Sequence, residues 1–376
     1  MAEPFKNLIS ADLIRVTARH LARVHRAFPE RRFVTQATTG LDALELKARV
    51  AHVAAALAGA LPQDFAAAAD VLEASLRPPR LDDDLSAHVP AADGLAGWAI
   101  WPMTEWVVLR GMQHPERALA SLHAMTQRNT AEYAIRPFLI EHEALTMATL
   151  HDWLDDPSPH VRRLVSEGSR PRLPWGVQLT RLVADPTPTL PLLERLQDDP
   201  SEYVRRSVAN HLNDIAKDHP QVVVDWVERF LPDADRERTR LLRHASRTLI
   251  KRADRAALRA WGLAKPLRGE ATLRVTPKRA SVGGDVRLVV ELRSTAKQPQ
   301  PLVVDYVVHH CKADGRARPK TWKGWKLTLA PGETRRLEKR HSLRPVTTRR
   351  DHPGRHDVEL LVNGAVVARG AFDLRA

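Results

Sequence analysis

Three segments of this 376-residue chain carry carboxylates and arginines at spacings that could place them together in one charged groove. The segments are AEYAIRPFLIEHE (131–143), PHVRRLVSEGSRPR (159–172) and EYVRRSVANHLND (202–214). Residues four apart share one face of a helix, and neighbouring parallel helices lie roughly 8–10 Å apart. We therefore predict three columns, each a set of residues on one face of one helix. They are Glu132 with Arg136, Arg163 with Glu167 and Arg170, and Arg206 with Asn210 and Asp214. Such a patch would combine groups that stabilise a developing cation with groups that contact phosphates.

The segment EGSRPRLPW, which follows the second column, supplies two further candidates, Arg172 and Trp175. Gly168 and Pro171 are expected to break the helix there and to turn its end toward the concave surface. A structural interpretation of all these residues stays open. Arginine and glutamate four apart usually form a solvated face with weak ion pairs, and a tryptophan after a proline is usually a packing anchor.

The remaining polar and aromatic residues indicate packing rather than chemistry. Trp98, Trp101 and Trp106 have spacings typical of a core or of contacts between helices, and Glu105 beside them is interpreted as structural. Scattered histidines, His309 and His310 included, form no ligand set, and the chain has no phosphate-binding glycine loop. We therefore predict neither a metal nor a cofactor.

The elements that must position these residues are helices up to about residue 263. Apolar residues recur there at helical spacing, and Asp-Pro or His-Pro pairs such as Asp185-Pro186 and His219-Pro220 separate successive helices. Paired helices with a D-P-x-x-x-V-R-R pattern are typical of HEAT-type repeats. We predict an N-terminal all-α HEAT-like-repeat solenoid over residues 1–264.

The pattern of apolar residues changes after about residue 268. In segments such as DVRLVVELR (285–293) and PLVVDYVVHH (301–310), apolar residues alternate with polar ones or form a continuous stretch. Turn-forming pairs such as Asn363-Gly364 separate these segments. About seven short strands at this spacing favour an all-β immunoglobulin-like sandwich over residues 270–376.

Charge and composition restrict the class of partner. The net charge is +13, and residues 270–376 carry 22 Lys and Arg against 11 Asp and Glu. A focused positive field attracts polyanions, although a merely soluble basic domain would look the same. The absence of a long apolar run and of an apolar N-terminal leader predicts no membrane span and no secretion signal. With Cys311 as the single cysteine, we expect a cytoplasmic protein.

Residues 1–263 resemble the AlkC branch of the HEAT-like-repeat DNA glycosylases, the AlkC/AlkD superfamily. The segments that carry the likeness are TAEYAIRPFLIEHE (130–143), HVRRLVSEGSRPRLPWG (160–176) and EYVRRSVANHLNDIAKDHP (202–220). The motif RRLVSEGSRPRLPW is the most specific of them. An appended immunoglobulin-like domain, as at 270–376, is also similar to an AlkC subgroup.

The resemblance implies excision of N3-alkylated bases, chiefly 3-methyladenine and 3-methylcytosine, from double-stranded DNA without a metal or cofactor. It implies a cleft whose carboxylates are Glu132, Glu167 and Asp214. Arg163, Arg170 and Trp175 resemble the other cleft residues. The related AlkD branch uses two tryptophans around its carboxylate, and Asn210 stands at the position that looks equivalent here.

The chemistry of such a site is consistent with this activity. A cationic alkylated base is already a good leaving group, so the oxocarbenium-like sugar is what carboxylates must stabilise. We expect a monomeric, monofunctional glycosylase that leaves an abasic site, because no lysine is placed in the predicted cleft. The basic segments 312–326 and 334–355 are expected to hold the DNA backbone. The alternative is a non-enzymatic repeat scaffold that binds DNA or protein.

Overall fold

The structure is a computed structural model that describes residues 4–79, 81–83, 88–263, 265–312, 316–344 and 352–375. It divides into two compact units. The first unit contains the chain up to Asp218 together with residues 235–245, and the second contains residues 219–234 and the chain from Ser246 onward. Parts of the two predicted basic segments, residues 313–315 and 345–351, lie outside the described residues.

The described chain up to residue 263 is helical, as predicted. Its helices are α1 (Ala11–Val24), α2 (Glu30–Thr38), α3 (Leu46–Ala60), α4 (Phe65–Ala74), α5 (Ile100–Gly111), α6 (Pro115–Thr126), α7 (Ile135–Glu141), α8 (Glu143–Asp152), α9 (Pro159–Gly168), α10 (Thr180–Ala184), α11 (Leu190–Leu196), α12 (Glu202–Asp218), α13 (Pro220–Phe230), α14 (Arg236–Ala245), α15 (Arg247–Lys251) and α16 (Arg255–Ala260). None of these helices has the length and the apolar character that a membrane crossing requires.

Local sequence explains where several helices begin. Pro115, Pro159 and Pro220 each stand at the start of a helix, where the fixed proline φ is already helical and the missing N–H is not needed. Within the first unit, α12 packs between α9 and α14, and each contributes an apolar stripe to the shared core. This side-by-side packing of consecutive repeats brings polar residues of α9 and α12 to one surface.

The second unit contains a β-sandwich, so the predicted fold class is confirmed. Its strands are β1 (Gly269–Thr276), β2 (Arg279–Ser281), β3 (Asp285–Ser294), β4 (Gln300–Cys311), β5 (Ala317–Leu329), β6 (Thr334–Ser342), β7 (Gly354–Val362) and β8 (Ala365–Arg375). One sheet has the order β1-β3-β6 and the other β2-β8-β7-β4-β5, with antiparallel pairs except β2–β8. Inward side chains of both sheets, such as Val286 with Val308 and Val290 with Val304, form the core.

Two local features of the sandwich follow from its sequence. Asn363 and Gly364 have φ values of 49° and 78°, the positive pair that a type I′ hairpin turn needs, as predicted. Strand β6, absent from the predicted segments, lies at a sheet edge and has Leu337 as its one partly buried aliphatic residue, so its alternation is weak.

The second unit also includes the helices α13, α15 and α16. An added Cβ at Gly364 would lie 2.5 Å from Leu258 of α16, so this helix packs closely on the β7–β8 turn. The predicted division of the chain at residues 264–270 stays a prediction.

Candidate active site

The structure brings the three predicted carboxylates together. Glu132 lies in the turn before α7, Glu167 in the last turn of α9 and Asp214 in the C-terminal half of α12. Their residues are only 8%, 5% and 2% exposed, respectively. Charged groups this deeply buried must be paired or hydrogen-bonded, so their surroundings decide what the site can do.

Arg170 joins two of these carboxylates with one guanidinium group. Its Nη1 donates to Glu167 Oε1 at 2.6 Å, and its Nε donates to Asp214 Oδ2 at 2.8 Å. Its Nη2 also lies 2.7 Å from Asp214 Oδ2. Although Arg170 was predicted to extend the column of α9, the helix ends at Gly168, and the following turn carries the side chain inward.

Arg163 of α9 joins the third carboxylate to the same network. Its Nη1 donates to Glu132 Oε2 at 2.9 Å, and its Nη2 lies 3.6 Å from Glu167 Oε1. The guanidinium carbon lies 4.8 Å from the ring centroid of Tyr203, a cation–π contact. The fixed forks of two arginines thus set the relative positions of all three carboxylates.

Sequence reasoning missed further polar members of this network. Ser207 Oγ donates to Glu167 Oε2 at 2.6 Å, and Thr130 Oγ1 donates to Glu132 Oε2 at 2.9 Å. Lys217 Nζ donates to Asp214 Oδ1 at 2.6 Å, so the expectation that the cleft contains no lysine is wrong. The signal was available, because Ser207 and Lys217 stand seven before and three after Asp214 on one face of α12.

The electrostatic balance around Glu167 keeps its carboxylate ionised. Burial alone would raise the pKa of Glu167, but Arg163, Arg170 and the Ser207 hydroxyl outweigh it and hold that pKa below its ordinary value. Burial, together with the adjacent Glu132 carboxylate, raises the pKa of Tyr133 to about 12, so its hydroxyl stays protonated. Glu167 is therefore a carboxylate rather than a carboxylic acid at neutral pH.

Arg136 occupies a different place from the one expected for a DNA contact. It is fully buried, and its guanidinium donates to the carbonyl oxygens of Gly168, Arg170 and Val177 at 2.7–2.8 Å. Since α7 begins only at Ile135, the predicted helical column of Glu132 and Arg136 does not form. Arg136 instead fixes the turn after α9 that carries Arg170 inward.

Trp175 lies at the tip of this turn and is exposed. It is 58% accessible to solvent, and its φ of 65° is unusual for a residue with a Cβ. Lys47 of α3 donates to its carbonyl oxygen. Arg172 in the same segment forms a fork with Asp218 at 2.6 and 2.9 Å. The packing interpretation of Trp175 does not fit this exposure.

Arg206 and Asn210 lie on α12 but outside the carboxylate network. Arg206 is exposed and lies 3.5 Å from Glu202, whereas Asn210 Oδ1 lies 2.9 Å from His244 Nε2 of α14. Each residue advances about 100° around a helix, so a step of four drifts by about 40°, and Arg206 ends about 80° from Asp214. The four-residue rule therefore holds for neighbours but not across two turns.

The other aromatic residues support the site from outside. Trp101 is buried and stacks on Tyr133 with ring centroids 5.1 Å apart, while Trp106 stacks on Phe65 at 5.4 Å. Glu105 is half-buried, and burial raises its pKa. Within the described ranges, no cluster of three His, Cys, Asp or Glu residues has a geometry that could hold a metal ion.

Comparison with known proteins agrees with this architecture. Residues 125–249 match the family model of the DNA alkylation repair enzymes, and residues 270–376 match that of the C-terminal Ig-like domain of the uncharacterised protein YhaZ. YhaZ of Bacillus subtilis is 32% identical over 366 residues, which cover 96% of each chain. The structure of the Pseudomonas fluorescens alkylpurine DNA glycosylase AlkC, bound to DNA with an abasic site analogue, is 34% identical.

The AlkC structure superimposes on the present one with a TM-score of 0.84 over the whole length of both chains. The likeness therefore extends through the helical region and the immunoglobulin-like region alike. The chain belongs to the DNA alkylation repair enzyme family, in the group that contains AlkC and YhaZ.

Proposed function

We propose that the protein is a DNA glycosylase that hydrolyses the N-glycosidic bond of cationic alkylated bases in double-stranded DNA. The substrates are 3-methyladenine and 3-methylcytosine, and the product is an abasic site. The observation that carries the proposal is the buried network in which Arg163 and Arg170 join Glu132, Glu167 and Asp214. Full-length similarity to a solved alkylpurine DNA glycosylase supports it.

The network suits the difficult part of this reaction. A base alkylated at N3 is already a cation and leaves readily, whereas the deoxyribose acquires oxocarbenium character as the bond breaks. Glu167 and Asp214 would stabilise that charge and hold the attacking water, with Glu132 beside them. Because two arginine forks hold these groups in advance, little reorganisation is needed during the reaction.

Arginines near the site have two roles in this proposal. Arg163 and Arg170, with side chains 16% and 8% exposed, orient the carboxylates from behind. The more exposed Arg172, Trp175 and Arg206 contact the DNA, and so does Asn210, which lies on α12 with Arg206. Trp175 could lie against the cationic base or the sugar, a cation–π contact of about 1–2 kcal/mol.

The immunoglobulin-like region, residues 270–376, is proposed to hold the DNA backbone, while residues 1–264 carry the chemistry. Exposed cations on β5 such as Arg318, Lys320 and Lys326 lie in the predicted basic segment 312–326. Cations at such positions neutralise phosphates and release counterions, so affinity should fall steeply with salt. Helices α15 and α16 belong to the same compact unit as the sandwich, so this role is best tested in the full chain.

The experiment that tests the function measures the bases released from methylated double-stranded DNA. The wild type should release 3-methyladenine and 3-methylcytosine and leave sites that alkali cleaves. Asp214→Asn, which keeps shape and hydrogen bonding, should still bind the DNA but lose most of its turnover. Binding without release by the wild type would favour the scaffold alternative, and undiminished release by the variant would reject Asp214 as a catalytic residue.

A further inference from the structure

The cations that contact the carboxylate network differ in their access to solvent. The side chains of Arg163 and Arg170 are 16% and 8% exposed, whereas that of Lys217 is 38% exposed. Lys217 contacts Asp214 Oδ1, the oxygen that Arg170 does not use. In the part of the chain that the structure describes, Lys217 is thus the cation of this network that an arriving substrate can reach most easily.

The charges of the network explain why this access matters. Its three carboxylates are contacted by three cations, Arg163, Arg170 and Lys217, and the buried Arg136 also interacts electrostatically with all three carboxylates. A network whose negative charge is fully offset is a poor partner for a sugar cation. Moving the positive charge of Lys217 away from Asp214 would make the network less positive and leave one carboxylate oxygen open.

We propose that Lys217 is a counterion that DNA displaces, bound to Asp214 Oδ1 in the free protein and to a backbone phosphate in the complex. The inference rests on the proposed glycosylase function and assigns Lys217 a part in its regulation by substrate. Asp214 would then reach full activity only when DNA is in place.

The chemistry of lysine fits this exchange better than that of the two arginines. Its ammonium is a point charge on a flexible stem, whereas Arg170 is held by hydrogen bonds to two different carboxylates. Lys217 stands in the last turn of α12, next to Asp218, which holds the half-exposed Arg172. The ammonium can therefore move to a phosphate without breaking the Arg170 bridge.

The test uses Lys217→Met and Lys217→Arg in the full chain, with Lys6→Met as control. Lys6 is a partly exposed lysine paired with Glu45 at 2.7 Å, and neither residue contacts the network. For Lys217→Met we expect weaker binding to methylated duplex DNA and a salt dependence whose log–log slope is smaller by about one. The single-turnover rate of base release at saturating DNA should fall far less than that of Asp214→Asn. Lys217→Arg should keep the slope, and Lys6→Met should change neither quantity.

Two results would overturn the inference. A saturating rate of Lys217→Met as low as that of Asp214→Asn would show that Lys217 must remain on Asp214 and positions it. An unchanged salt slope would show that Lys217 does not reach a phosphate. Absence of base release by the wild type would instead reject the proposed function itself, so the two failures are distinguishable.

Discussion

Arginine side chains have different roles in the helical region and in the sandwich of this molecule. In the helical region Arg136, Arg163 and Arg170 are largely buried and donate to defined oxygens. In the sandwich, arginines such as Arg336 and Arg355 are exposed and pair with an acid two residues away on the same strand. Buried ion pairs fix the positions of their side chains, and the loss of one partner is strongly destabilising. Exposed ion pairs contribute little to stability and leave the arginine charge available to a ligand.

The distribution of net charge shows the same contrast. Residues 1–269 carry 36 Lys and Arg against 34 Asp and Glu, but residues 270–376 carry twice as many basic as acidic residues. A near-neutral region can place carboxylates beside DNA only if cations neutralise them locally, and the Arg163 and Arg170 bridges do so. In the proposed function the sandwich attracts the DNA backbone, a role that does not require exact positions of its side chains. Changes to the buried pairs of the first region should therefore affect turnover or folding, and changes to the exposed cations of the second should affect affinity.

The largest effect is expected for Arg170→Lys, which keeps the charge but loses the fork between Glu167 and Asp214. Single-turnover base release should fall by about 100- to 1,000-fold, since a preorganised donor pair is lost. DNA affinity should change much less. Equal losses in the saturating rate and the affinity of the variant would contradict the division of roles between the regions.

Arg136→Lys is expected to affect folding before it affects chemistry. A lysine cannot donate at once to the carbonyl oxygens of Gly168, Arg170 and Val177. The free energy of unfolding, measured with denaturant, should fall by about 2–3 kcal/mol, because the buried carbonyl oxygens lose their charged hydrogen-bond donors. The matched control is Arg206→Lys on the exposed side of α12, where we expect less than about 0.5 kcal/mol.

The exposed charges of the sandwich should give a moderate effect on binding alone. The double variant Arg318→Gln/Lys320→Gln removes two exposed cations of β5, and we expect its salt slope to fall by about two. At moderate salt this corresponds to an affinity about tenfold lower, with an unchanged saturating rate. Arg274→Gln/Arg293→Gln removes two exposed arginines outside the basic segments, and an equal loss there would show that position on the sandwich does not matter.

The smallest effect is expected from mild acid, and it should come from the helical region. Burial lowers the pKa of His160 to about 4 and that of His211 to about 3. Since the unfolded chain binds these protons near pH 6.5, stability should fall as the pH drops below that value. Between pH 7.5 and 5.5 the loss of unfolding free energy is about 1.4 kcal/mol for each histidine. The loss of stability associated with the lowered pKa of Glu167 begins only when the pH falls below the ordinary pKa range of a glutamate. That loss therefore lies outside the interval from pH 7.5 to 5.5.

Unfolding at the two pH values, with His211→Asn as comparison, measures this effect. The Nδ1 of His211 donates to the carbonyl oxygen of Ser166 at 2.9 Å, a bond that the asparagine amide can replace in part. The variant should lose about half of the pH dependence. A pH dependence identical to that of the wild type would show that His211 does not titrate in this range on unfolding.

Sequence periodicity predicted the fold well because burial controls it. The helical repeats and most strands follow from apolar patterns, and the turn at Asn363 and Gly364 follows from the φ values those residues tolerate. Strand β6 was missed because most of its residues are charged, so apolar and polar residues do not alternate clearly along it. Periodicity also could not anticipate that α15 and α16 share a compact unit with the strands, since that depends on tertiary packing.

The site was less accessible to sequence reasoning for two physical reasons. Periodicity reports a face of a helix, but Glu132 and Arg170 lie in turns outside α7 and α9. Sequence analysis also assigns charged residues to the surface, so it did not predict the burial of Arg136. Lys217 is a different case, because its position three residues after Asp214 on α12 already indicated the contact that the structure shows.

One matched pair of variants tests the central claim most directly. Glu167 and Glu359 are both carboxylates held by an arginine and a second donor, the first in the helical region and the second in the sandwich. Glu167→Gln should lower the single-turnover rate of base release at saturating methylated DNA by at least about 100-fold, while Glu359→Gln should leave it within about twofold. A Glu167→Gln variant that releases bases at nearly the wild-type rate would contradict the account, because the buried network would then not carry the reaction.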